Sequence, residues 1–321
     1  MRRPAVGVLR GSSLSRKHLM NARTYGIGLY APAGFATEPA AISRAVARLE
    51  AAGHRVIVDP TATRRWQRFS APDDERLAAV VRMAEDPRVE LAIAVRGGYG
   101  WSRILERLDF AAIAAAKKRW LGHSDFTAFQ LAALALARMV TFAGPLAAYD
   151  FGAEKPSEFT LDHCWGLLGS REYAVECPLV GPGSFTAEGT LWGGNLAMIA
   201  HLVGTPYMPR IDGGILFLED VSEHPYRIER MLYQLHHSGI LGRQRALLLG
   251  SFNGFELGAN DNGYDLGTMI EHARAAFGVP IFCGLPFGHC PDKLTLPVGA
   301  RCSLAVNGGQ ARLAFWGYAP A

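Results

Sequence analysis

The chain has 321 residues, long enough for two hydrophobic cores rather than one. With 49% hydrophobic and 19% charged residues it has the make-up of a folded globular protein, not a disordered one, and no apolar run reaches the roughly 20 residues that cross a bilayer. The formal charge of +4 is carried by residues 1 to 23, which hold six Lys and Arg and no acid; the remainder, at −2, has no polyanion-binding signature, so no nucleic-acid partner and no membrane are expected.

Residues 1 to 23 lack the apolar core of a secretion signal. They read as a disordered leader, or as translation begun upstream of a natural start at Met20. From Tyr25 to Pro32 an apolar run predicts a buried strand, and Ile42, Val46 and Leu49 give Glu38 to Ala52 helical spacing, ended by Gly53. Arg55 to Val58 is a second strand, Pro72 to Glu85 a helix with an acidic first turn, and Val89 to Val95 a third strand. That alternation predicts a parallel sheet.

The third strand runs into Arg96-Gly97-Gly98-Tyr99-Gly100, followed by a helix start over Trp101 to Leu108. In parallel sheets such loops, at the carboxyl ends of strands, line the binding crevice. The spacing is neither G-x-G-x-x-G nor a Walker motif, so it does not specify a phosphate. Glycines here serve a tight turn and also let backbone N–H groups approach a ligand, and the two uses are compatible.

Next comes Arg119-Trp120-Leu121-Gly122-His123-Ser124-Asp125-Phe126, with one serine between a short apolar run and a helix from Phe126 to about Val140. A serine at that turn has two uses. With Asp125 it can cap the helix, or its hydroxyl can act as a nucleophile where free N–H groups and the helix dipole favour developing negative charge. Phe126 stands where Gly-x-Ser-x-Gly has its second glycine, so the usual hydrolase elbow is not matched.

After a strand at Thr141 to Pro145, residues 151 to 185 read as a connection around a short helix near Phe159 to Leu168. This closes a first domain at 24 to 150 and opens a second at 186 to 321. The second holds short strands at Gly189–Trp192, Ile215–Leu218, Ala246–Phe252, Pro280–Cys283, Arg301–Val306 and Ala311–Phe315, with a helix at Pro225–His237. Glu219 follows the apolar run Gly-Gly-Ile-Leu-Phe-Leu, where an unpaired carboxylate is costly, so it needs a partner or serves as a sheet-edge group or cap. His289 sits in a turn-rich loop after a strand; His123, His163, His201, His236 and His237 compete with it for any catalytic role. The five cysteines are odd in number and have no C-x-x-C pair, which argues against a disulfide framework or zinc site and for a reducing cytoplasm.

In order, Arg96-Gly97-Gly98-Tyr99-Gly100, Gly122-His123-Ser124-Asp125-Phe126-Thr127-Ala128, Leu191-Trp192-Gly193-Gly194-Asn195-Leu196, Leu218-Glu219-Asp220 with Tyr226-Arg227-Ile228-Glu229-Arg230-Met231-Leu232, and Gly284-Leu285-Pro286-Phe287-Gly288-His289 resemble the motifs of the LD-carboxypeptidase family of serine peptidases. Within the family the resemblance is closest to the cytoplasmic muramoyltetrapeptide carboxypeptidases. It implies an α/β fold, with a Rossmann-like parallel-sheet N-terminal domain and a β-rich C-terminal domain, commonly paired as a homodimer. It places a triad on Ser124, Glu219 and His289, and an oxyanion hole on the N–H groups of Gly98 and Asp125.

No cofactor and no metal are expected, and the implied substrate is a murein tetrapeptide that loses its terminal D-Ala during cell-wall recycling. Two other functions are weighed. One is a microcin C-type immunity peptidase that cleaves a peptidyl nucleotide, with Trp192 or Phe185 stacking the base; the other is a non-catalytic small-molecule binding protein. An arginine is expected to hold the substrate carboxylate, but the sequence does not say which.

Overall fold

A computed structural model describes residues 23–318. The leader before Arg23 lies outside the described residues. The apolar runs of the first half become β1 (Gly26–Tyr30), β2 (Arg55–Val58), β3 (Leu91–Ala94), β4 (Arg119–Gly122) and β5 (Thr141–Ala143), which pair in parallel in the order β5-β4-β3-β1-β2. All but β2 are buried along their whole length, as the strands of a covered parallel sheet must be. Between them run α1 (Ala40–Ala51), α2 (Asp73–Glu85), α3 (Phe110–Ala115) and α4 (Phe126–Ala137).

The second half gives α5 (Glu158–Leu168), β6 (Tyr173–Pro178), β7 (Phe185–Asn195), α6 (Leu196–Leu202), β8 (Gly214–Val221), α7 (Pro225–His237), β9 (Gln244–Asn253), α8 (Leu266–Ala276), β10 (Ile281–Cys283), β11 (Leu296–Val298), β12 (Arg301–Asn307) and β13 (Gln310–Trp316). Seven of these strands make one sheet, ordered β10-β9-β8-β7-β12-β13-β6. Its β10-β9-β8-β7 side is parallel and its β7-β12-β13-β6 side antiparallel. The α/β fold with a β-rich second half is therefore present, and the second sheet is mixed.

Several details differ from the sequence reading. Trp101 to Leu108 is not a regular helix but two short 3₁₀ turns, at Trp101–Arg103 and Leu105–Arg107. α4 stops at Ala137, because Arg138 takes a left-handed conformation at the C-cap. Residues 151 to 185 hold β6, whose alternating burial is too short and too charged at Glu176 to stand out; it forms the edge of the second sheet.

β11 was not expected at all, since Pro297 argues against a strand. It is an edge strand that pairs antiparallel with β5, where a missing N–H is tolerated. The chain thus returns to the first sheet after building most of the second. A hydrogen bond from the Asn195 backbone N–H to Thr127 Oγ1 (3.0 Å) ties the end of β7 to the first turn of α4.

Candidate active site

Ser124 is the middle of the three residues between β4 and α4, with φ of +67°. For a residue with a Cβ that conformation costs on the order of 1–2 kcal/mol. The backbone around it is held by Thr127 N–H donating to Ser124 O (2.9 Å) and Ala128 N–H donating to Asp125 O (3.1 Å). Neither expected cap forms, as α4 has no side-chain cap at Asp125 and the Ser124 hydroxyl is hydrogen-bonded to His289 Nε2. Close packing requires glycine at 97, where a Cβ would fall 2.6 Å from Ser124 Cβ, 2.8 Å from its Oγ and 3.2 Å from the Asp125 nitrogen. The Gly97-Gly98 segment thus passes beside Ser124 and the Asp125 N–H, and Gly98 itself has φ of +90°.

The Asp125 side chain is buried and accepts from the Trp101 backbone N–H at 3.1 Å, which fastens the glycine-rich loop to the Ser124 turn. Burial pushes its carboxyl up to about 7, against the lowering effect of the Trp101 and Gly100 N–H groups. This tether was not foreseen, because a carboxylate at a helix start reads as a cap.

Glu219 is completely buried near the end of β8. The pairing of β8 with β9 shifts register between Leu218 and Asp220, the kind of irregularity that re-aims a side chain. Its Oε2 lies 2.7 Å from His289 Nδ1, and its Oε1 accepts from Asn195 Nδ2 at 3.2 Å. The same amide nitrogen donates to Asp220 Oδ1 at 2.9 Å, while Asn195 Oδ1 caps α6 through Met198 N–H. Burial pushes the Asp220 carboxyl up to about 6. Asn195 was missed as a site residue, although it lies in the motif Leu191-Trp192-Gly193-Gly194-Asn195-Leu196, ahead of an apolar helix.

His289 closes the arrangement, with Nε2 3.1 Å from Ser124 Oγ. Gly288 has φ of +124°, and a Cβ there would sit 2.9 Å from Glu219 Oε2, so the loop packs directly on the carboxylate. Beyond the histidine the loop is anchored by Thr160 Oγ1 donating to Pro291 O (2.8 Å), by Asn253 Nδ2 donating to His289 O (2.8 Å) and by the buried Lys293–Asp150 pair. Burial works to lower the His289 pKa, but the hydrogen bond and charge of Glu219 prevail and raise it above the ordinary value.

Among the competing histidines, His123 is buried, donates from Nδ1 to Gly144 O (2.8 Å) and packs edge-on to His289 with ring centroids 5.2 Å apart. Desolvation, and then the charges of Lys293 and His289, hold it neutral. His163 bonds Tyr173 and His201 bonds Ser102, while His236 and His237 pack around Tyr233, so none of these meets Ser124. The two aromatics considered for base stacking are committed elsewhere. Trp192 is buried and donates to Gln244 Oε1 (2.8 Å), and Phe185 packs on Phe282. Among the described residues no group of His, Cys, Asp and Glu is arranged to hold a metal ion.

Residues 27–144 match the LD-carboxypeptidase N-terminal domain and residues 188–304 the LD-carboxypeptidase C-terminal domain. The chain is 30% identical over 281 residues to a probable murein peptide carboxypeptidase of Bacillus subtilis (strain 168), covering 87% of this chain and 88% of that protein. It is similar to the crystal structure of a muramoyltetrapeptide carboxypeptidase from Oxalobacter formigenes, with a TM-score of 0.86 and 44% identity over 91% of this chain and 99% of the other. It is also 26% identical over 263 residues to the microcin C7 self-immunity protein MccF of Escherichia coli, covering 72% of this chain and 75% of that one.

Proposed function

Because this chain belongs to the LD-carboxypeptidase family of serine peptidases, we propose that it hydrolyses the amide bond between an L centre and the terminal D-Ala of a murein tetrapeptide. The observation that carries this reading is the position of His289, hydrogen-bonded to Glu219 on one side and Ser124 on the other. Ser124 Oγ attacks the carbonyl carbon and gives its proton to His289 Nε2. Glu219 holds the imidazole tautomer and stabilises the imidazolium. The oxyanion takes the N–H groups of Gly98 and Asp125, donors whose loss typically costs roughly 10²-fold or more. Collapse breaks the C–N bond and passes the proton from His289 to the leaving amine, releasing D-Ala. Water, deprotonated by His289, then cleaves the Ser124 ester.

The names of two relatives supply the substrate class, one being a probable murein peptide carboxypeptidase and the other a muramoyltetrapeptide carboxypeptidase. The peptidyl-nucleotide alternative is less well supported, because Trp192 and Phe185 are both used in packing. All five cysteines are free thiols, which favours our placement of the enzyme in a reducing cytoplasm. Assembly as a homodimer belongs to the same proposal, and light scattering tests it.

The deciding measurement is mass spectrometry of a tetrapeptide before and after incubation. D-Ala release is expected, with strongly reduced cleavage when the last residue is L-Ala, since exchanging methyl and hydrogen pulls the carbonyl off its donors and about 1 Å of misplacement can cost roughly 10²-fold. Equal rates on both would overturn the reading, and preference for a peptidyl nucleotide would move the protein to the immunity function.

A further inference from the structure

A carboxypeptidase must recognise a free terminal carboxylate, and that group is only three bonds from the carbonyl carbon under attack. The two carbons are therefore under about 4 Å apart. The cation that holds it has to stand beside the oxyanion donors. A cleft of about 380 Å³ opens there, with Gly98 in its wall together with Gly34, Phe35, Arg68, Arg96 and Tyr99.

Arg96 is the cation built into this wall. It lies two residues past the end of β3 and is half-buried, and a Cβ placed on Gly98 would lie 3.7 Å from its Nε. Nη1 donates to Phe35 O at 3.0 Å, and the guanidinium carbon sits 5.8 Å from the ring centroids of both Phe35 and Tyr149. The head group is thus held in place, but among the described residues it makes no ion pair. Of the other cations near the site, Arg65 is exposed, stacks on Phe35 and donates to Thr37 O, and three more have acidic partners. Arg76 and Arg103 share Asp73, and Lys293 is paired with Asp150. Arg68, also in the cleft wall, is exposed, and holding a carboxylate there would require ordering a long mobile side chain.

We propose that Arg96 binds the terminal carboxylate of the substrate and so restricts the enzyme to the last residue of the peptide. This rests on the carboxypeptidase reading above. Four of the five guanidinium N–H donors remain after the bond to Phe35, enough for the two-pronged grip that planar carboxylates favour. A lysine would offer only a point charge at that distance.

The test compares three substrates, namely the tetrapeptide acid, its C-terminal amide, and a fluorophosphonate that labels the active serine and carries no carboxylate. The wild type should prefer acid to amide. In Arg96→Gln, kcat/KM on the acid should fall about 10–100-fold, the range set by a charge-assisted bond, with the loss in KM and a far smaller fall on the amide. The preference then collapses, while serine labelling persists. Arg96→Lys should recover part of it. If Arg96→Gln keeps the wild-type acid preference, or if acid cleavage, amide cleavage and labelling all fall together, Arg96 does not bind the carboxylate. A wild type that cleaves acid and amide alike, or neither, would instead remove the carboxypeptidase reading itself.

Discussion

His289 Nε2 lies 3.1 Å from Ser124 Oγ although the two residues are 165 positions apart and follow strands of different sheets. The Ser124 turn is placed by β4 and α4, and the His289 loop follows β10 and is pinned by Thr160, Asn253 and the Lys293–Asp150 pair. The contact exists only when both sheets are docked.

Ser124→Ala and Ser124→Gly should both abolish turnover, yet differ in stability. Alanine keeps the strained +67° backbone, whereas glycine adopts it without a Cβ penalty. Glycine gives up part of that gain to its larger unfolded-state entropy. We expect the glycine variant to be the more stable of the two by about 1 kcal/mol in chemical denaturation. Equal stabilities would mean that the turn is not strained.

His289→Ala should be nearly as inactive as Ser124→Ala, because members of one relay act as a unit. Single-turnover kinetics of the double variant should match the weaker single variant. A double variant slower by the product of the two losses would separate their roles.

Glu219 raises the His289 pKa, so the base form of the free enzyme is lost as pH falls through that raised value. The acid limb of kcat/KM should lie above the ordinary histidine range. Glu219→Gln removes the charge, so it should lower the rate and move the limb to lower pH. An unmoved limb would assign the titration to another group.

Gly97→Ala should lower kcat by roughly 10²-fold or more with little effect on overall melting. Its Cβ falls 2.6 Å from Ser124 Cβ, and the reacting hydroxyl has to move. Unchanged kcat would show that the loop gives way instead.

Asp125 binds its proton more tightly in the folded chain, at about 7 against an ordinary 3.8. Its contribution to stability is fully present below the unfolded value and is lost as pH rises through about 7. Between pH 4 and pH 8 the wild type should therefore lose more stability than Asp125→Asn, by up to about 4 kcal/mol. Parallel pH curves for the two proteins would contradict the buried carboxyl.

The sequence alone determined what depends on neighbours along the chain. Apolar runs alternating with helical spacing gave the parallel first sheet, because a strand covered on both faces must be apolar throughout. The short strands and glycine-rich turns gave the β-rich second half, and five ordered motifs marked the family. Those motifs contain Ser124, Glu219 and His289, but nothing local distinguishes a capping serine from one aimed at a histidine. Only the fold decided that, through the φ of Ser124 and the docking of the two sheets. The same holds for β11, hidden by Pro297 until an edge position made the missing N–H harmless, and for Asn195, whose one amide serves two buried carboxylates that the sequence leaves side by side without a partner. It holds again for Arg96, whose place in Arg96-Gly97-Gly98-Tyr99-Gly100 the sequence shows, whereas its half-burial, its bond to Phe35 O and its lack of an ion pair among the described residues belong to the fold. Periodicity is written in adjacent residues and survives in one dimension, whereas burial, register and charge pairing are set by residues that meet only after the chain has closed on itself.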